Sequence, residues 1–163
     1  MSYLFKIILL LLLLLIAAPP VFSSVDSEIN IILAHPDDPP DGVVFEIVEG
    51  DEAFLKWAIP EVKKYAVLLR DKFPGLNIAV VSHGKEEFAL LKSNSKEYAT
   101  VHKAVKSLVA EQDIPVHVCG THASWYDKEA EDFPDYVDVA PMGPAQINDY
   151  ENMGYTLIVL EKP

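Results

Sequence analysis

Val43-Val-Phe-Glu-Ile47 and Asn77-Ile-Ala-Val-Val-Ser82 are short apolar runs, rich in β-branched residues, on either side of a long helical stretch. Runs of this length and composition read as strands. Between them Asp51 is a candidate helix N-cap. Ala53 to Lys72 puts Phe54, Leu55, Ala58, Val62, Tyr65, Ala66 and Leu69 on one side of a helix. Pro60 is expected to kink or divide that helix, and Phe73-Pro74-Gly75 to stop it. The strands are apolar throughout rather than alternating, which marks strands buried on both faces of a parallel sheet.

The same alternation continues outward. Lys85 to Leu91 reads as a short helical turn, and Lys96 to Glu111 as a helix with Tyr98, Val101, Val105, Leu108 and Val109 on its apolar face. Ile114 to Cys119 is a strand, Thr121 to Glu131 a short helix, Tyr136 to Ala140 a strand, Pro144 to Asn152 a helix, and Tyr155 to Leu160 the last strand. Toward the amino end, Asn30-Ile-Ile-Leu-Ala34 fits a short strand, and the polar Ser24 to Asn30 a flexible terminus. Pro36, Pro39 and Pro40 with Asp37, Asp38 and Asp41 make a stiff acidic loop. The expected fold is α/β: a single-domain three-layer sandwich with a mainly parallel five-stranded sheet over residues 42–163. A flexible acidic, proline-rich segment, 24–41, is expected before it.

Residues 1–23 read as a secretory signal peptide. Lys6 supplies a minimal positive start, Ile7 to Ala18 an apolar run short for a membrane span, and Val21-Phe-Ser23 a cleavage site. The expectation is an exported protein, periplasmic or secreted, that touches a membrane only if this segment is retained. No cysteine follows the apolar run, so a lipid-modified lipoprotein is excluded. Without Lys6 the net charge is near −13, a surface that repels nucleic acid and anionic membranes. The acidic residues themselves read as solvated surface.

Cys119 is the single cysteine, so no internal disulfide can form. In an exported chain its thiol is buried and inert, paired with another chain, or kept reactive. It closes a strand, and Gly120 turns the chain after it. Open α/β sheets bind ligands at the carboxyl ends of their strands. Ser82-His83-Gly84, Cys119-Gly120-Thr121-His122 and Pro141-Met142-Gly143-Pro144 all fall on that edge. Helix N-termini there offer N–H groups and positive potential to an anion. The spacing supports a nucleophilic sulfur with His83 or His122 close by. His117 shares strand parity with Cys119 and also fits a hydrogen-bonded core histidine.

These stretches carry a resemblance to the DsrE/DsrF-like family of sulfur-relay proteins. It rests on Val80-Val-Ser-His-Gly84, Val116-His-Val-Cys-Gly120, the stretch Glu131-Asp-Phe-Pro-Asp-Tyr-Val-Asp-Val-Ala-Pro-Met-Gly143, Gln146, and Asn152-Met-Gly-Tyr155. It covers about Val43 to Tyr155. The resemblance implies a small α/β domain that assembles into homo-oligomers, trimers or hexamers. It implies that Cys119 accepts sulfane sulfur as a persulfide and passes it on, with His83 at the edge of a pocket formed by Gly84, Gly120, Thr121, His122, Met142 and Gly143. The implied partners are a sulfur donor or acceptor protein, or a small sulfane-sulfur compound. No cofactor is implied. Thr121-His-Ala-Ser-Trp125 departs from the family's usual stretch after the cysteine and leaves donor and acceptor open.

Two other readings stay open. Cys119 and His122 have a C-x-x-H spacing that, with His83 and His117, suits zinc or copper. A non-catalytic oligomeric scaffold would use Trp57, Trp125 and Tyr126 as core or interface. Leu33-Ala-His-Pro-Asp-Asp38 resembles the zinc-binding start of LmbE-like deacetylases. Pro39 stands in place of the acidic residue expected next and no paired-histidine motif follows, so it reads as an acidic proline loop.

Overall fold

The computed structural model describes residues 24–162, and the expected signal peptide lies outside them. Five strands form one all-parallel sheet: β1 (Gly42–Ile47), β2 (Asn77–Ser82), β3 (Val116–Cys119), β4 (Asp138–Ala140) and β5 (Tyr155–Val159), in the order β4-β3-β2-β1-β5. β1 lies between β2 and the edge strand β5, with Val44 level with Ala79 on one side and Leu157 on the other. The three inner strands are buried almost throughout, as their unbroken apolar sequences require. The α/β three-layer architecture is the one expected from the sequence.

The order of the strands decides where the helices go. From β1 to β4 the chain steps in one direction across the sheet. The return to β5 steps the other way. Right-handed crossovers then demand opposite faces. The packing shows this division. Helices α1 (Ser24–Ala34), α2 (Leu55–Lys72) and α3 (Ala99–Gln112) cover the face of Val43, Phe45, Ile78, Val80, Val116 and Val118. Helix α5 (Gly143–Asn152) covers the other face, with Ile147 and Tyr150 on Val44, Ala79 and Val81. A short helix α4 (Gly120–Ser124) lies between β3 and β4.

Helix α2 starts from a 3-10 turn, Glu52–Phe54, whose Asp51 cap accepts the Ala53 N–H at 2.9 Å. It runs unbroken through Pro60, and its buried residues repeat at helical spacing. Helix α3 ends on Asp113, which takes the left-handed conformation (φ 53°) usual for glycine.

The amino-terminal segment is a correction. Residues expected as a flexible terminus and a short strand form one helix, α1, with Val25, Ile29 and Ile32 in the core. The spacing of those three residues is helical. Tyr65 donates its hydroxyl to Asp26 at 2.7 Å and ties α1 to α2. The predicted helix after Cys119 is also shorter than expected: α4 stops at Ser124, and Ala130–Asp132 is a separate 3-10 turn. Among the described residues no helix is long and apolar enough to cross a membrane.

Candidate functional site

Cys119 is the last residue of β3 and the N-cap of α4. Its residue is only 4 % exposed. Two backbone N–H groups from different elements converge on its sulfur. His122, in the first turn of α4, donates at 3.4 Å, and Gly143, the first residue of α5, at 3.2 Å. Donors of this kind bind a sulfur anion more strongly than a neutral thiol. The approach requires glycine: a Cβ at 143 would lie 2.6 Å from the His83 Cβ and 3.4 Å from the Cys119 Cβ. Gly143 thus wedges between the two residues expected to carry chemistry.

His83 follows β2, and its Nε2 meets Glu46 Oε1 of β1 at 2.7 Å. Its ring is therefore oriented by a carboxylate. Among the described residues no hydrogen bond joins either His83 or the His122 ring to the sulfur. Thr121 donates both its N–H and its hydroxyl to the Pro141 carbonyl, at 3.1 and 2.7 Å, fastening the start of α4 to the chain leaving β4. Gly120 packs against the Ala140 carbonyl, and Met142 is exposed at the rim.

Two residues central to this edge were expected on the surface. Lys85–Leu90 is a 3-10 helix in which Glu86 to Leu90 are all buried, including the adjacent Glu86 and Glu87. Glu86 accepts Ser82 Oγ at 2.7 Å, the Gly84 N–H at 2.9 Å and the Glu49 N–H at 2.7 Å. It braces the ends of β1 and β2 together. Gly84 belongs to this brace, since a Cβ there would lie 2.5 Å from the Glu49 carbonyl oxygen.

Glu87 points the other way. Its Oε2 accepts the Cys119 N–H at 2.9 Å, and its Oε1 meets His122 Nδ1 at 2.8 Å. Burial pushes the Glu87 carboxyl up to about 8, despite the opposing hydrogen bond from Cys119. Burial also lowers the His122 value, against the pull of Glu86. Burial thus favours the neutral form of both groups across their 2.8 Å contact. The His122 ring stacks on Phe88 at 5.2 Å and is flanked by Tyr126 and Trp125. The sequence signal for Glu86 and Glu87 was their place between His83-Gly84 and the apolar Phe88-Ala-Leu-Leu91.

The other histidines are occupied. His117 shares the Cys119 face and meets the Tyr150 hydroxyl at 2.8 Å; burial lowers its value. His102 meets the Tyr136 hydroxyl and the Ala89 carbonyl. Among the described residues no group of three His, Cys, Asp or Glu is placed to hold a metal ion. Within the Cys119–His122 pair, the His122 N–H meets the sulfur and its ring meets Glu87.

No protein-family model matches the chain, and no curated protein does. Solved structures do. The protein of unknown function MTH1491 from Methanobacterium thermoautotrophicum superimposes with a TM-score of 0.58 at 22% identity, over 72% of this chain and 97% of that one. The conserved protein of unknown function BT1422 from Bacteroides thetaiotaomicron gives 0.51 at 12% identity, over 72% and 94%. What this chain shares with both is the fold: a small parallel α/β domain.

Proposed function

We propose that this protein carries sulfane sulfur on Cys119. The observation that bears most weight is the convergence of two helix-start N–H groups on one nearly buried sulfur, beside a carboxylate-oriented histidine. This is an environment built for a sulfur anion. In the reaction, the Cys119 thiolate attacks the sulfane sulfur of a donor R–S–SH. A bond forms between Sγ and that outer sulfur as the donor's S–S bond breaks, and RS⁻ leaves and takes up a proton. The zero-valent sulfur moves without an external oxidant. An acceptor thiolate then attacks the outer sulfur and releases Cys119. The resemblance to the sulfur-relay family supports the same reading, and with it an exported homo-oligomer that exchanges sulfur with a protein or a small sulfane-sulfur compound.

The test is intact mass spectrometry after incubation with polysulfide or thiosulfate, with Cys119→Ser alongside. The expected result is a gain of whole sulfur atoms on the wild type alone, reversed by dithiothreitol. A folded, reduced wild type that gains nothing overturns the proposal and leaves a scaffold role for the exposed Trp125, Tyr126 and Met142.

A further inference from the structure

We propose that Glu87 is a positioning residue for the sulfur site, whose carboxyl selects the tautomer of His122 and so decides whether His122 Nε2 presents a proton or a lone pair. The functional consequence rests on Cys119 being the reacting centre; the tautomer itself does not.

The argument is one of proton accounting. Glu87 is fully buried and has two partners. The Cys119 backbone N–H can only donate, so Oε2 must accept. A proton on Oε2 would have no acceptor among the described residues, so any acid proton on Glu87 belongs on Oε1, facing His122 Nδ1. With Glu87 neutral, Oε1–H donates to an Nδ1 lone pair, and the neutral ring keeps its proton on Nε2. With Glu87 ionised, Nδ1–H donates to Oε1, and Nε2 becomes an acceptor. No other arrangement of a neutral imidazole satisfies the contact. The ring is clamped by Phe88, Tyr126 and Trp125, which opposes escape by rotation. Its Nε2 has no hydrogen-bond partner among the described residues.

The surrounding groups leave this pair intact. Glu86, on the same turn, has its oxygens filled by Ser82, Gly84 and Glu49. His83 is engaged by Glu46. Lys85 lies over the Tyr126 ring at 5.7 Å. The Cys119 sulfur faces the His122 and Gly143 N–H groups. The burial of Glu87 brings its ionisation to about pH 8, close enough to neutrality for both tautomers to be populated in ordinary use. In the neutral state Nε2–H is a donor for negative charge on an incoming or outer sulfur. In the ionised state Nε2 is a base.

The test is long-range proton–nitrogen correlation NMR of 15N-labelled protein, full chain, below and above pH 8, on wild type and Glu87→Gln. Glutamine keeps both hydrogen bonds, with its oxygen toward Cys119 and its N–H toward Nδ1, and so mimics the neutral acid at every pH. The wild type is expected to carry the His122 proton on Nε2 below the transition and on Nδ1 above it. Glu87→Gln is expected to hold it on Nε2 throughout. A wild-type proton on Nδ1 at both pH values overturns the proposal even if the variant does not fold. So does a variant that switches like wild type. No sulfur donor is present, so this failure is distinct from failure of the carrier reading. In the persulfide assay the pH–rate profile of Glu87→Gln is expected to differ in shape from that of wild type. Superimposable profiles overturn the link to sulfur chemistry.

Discussion

Glu87 holds a proton in the folded chain that it loses in the unfolded one, and that difference is measurable as stability. Its value moves from 4.5 to about 8 on folding. Between those limits the unfolded state is ionised while the native state keeps its proton, so rising pH favours unfolding by about 1.4 kcal/mol per unit. His117 and His122 act in the opposite sense. Their values fall below 6.5 on folding, so their contribution grows with pH and is complete above 6.5. From 6.5 to about 8 these two histidines no longer oppose the Glu87 slope. Urea unfolding across this window is expected to show a Glu87 contribution of about 2 kcal/mol lost in wild type and a correspondingly shallower profile in Glu87→Gln; equal slopes would contradict the assignment. At this scale the sequence was partly legible. Cys119, His83 and the glycines declared themselves through strand ends and turns. Glu46, Glu86 and Glu87 did not, because a carboxylate is ordinarily a surface group. Only the fold reveals which ones have their oxygens taken up by N–H donors or a histidine ring.

Among the elements, the central strands were legible because both of their faces are buried, and no amphipathic pattern competes with that reading. Helix α1 was not. Its polar residues and the compact Ile29-Asn-Ile-Ile-Leu33 run masked a helical stripe of Val25, Ile29 and Ile32. Strand β4 shrank to three residues, since an edge strand gains partners on one side only. The packing of α1 makes a specific claim. Ile29, 2 % exposed, is expected to cost roughly 2–5 kcal/mol when replaced by alanine. Ile31, 59 % exposed on the same helix, is expected to cost no more than about 0.5 kcal/mol. Thermal or denaturant unfolding of the two variants checks this. Equal effects would mean that α1 does not pack on the domain.

For the whole molecule, charge is the dominant feature. The chain carries a formal charge of −12, and Glu46, Glu49 and Glu86 lie on the sheet edge that carries the cysteine. The two N–H donors at the sulfur act only at contact distance, whereas the acidic field acts on approach. Neutral iodoacetamide is therefore expected to label Cys119 faster than anionic iodoacetate, by roughly tenfold more than in the unfolded chain at low ionic strength. Added salt should narrow the gap as screening shortens the field. Labelling rates followed by mass spectrometry decide it, and a ratio unchanged from the unfolded chain would show that the field does not reach the thiol. If sulfur is exchanged here, the same field favours uncharged donors over thiosulfate.

The pairing of β1 with β5 has a kinetic consequence. The first strand to be made is an inner strand of the sheet, and one of its two neighbours is the last. While the chain emerges from its amino end, β1 keeps one flank unpaired until Tyr155–Val159 arrives. Contacts this distant along the chain form late. An inner strand made first thus gains its second flank from the last strand of the sheet, so the order of synthesis and the order of the sheet run against each other there.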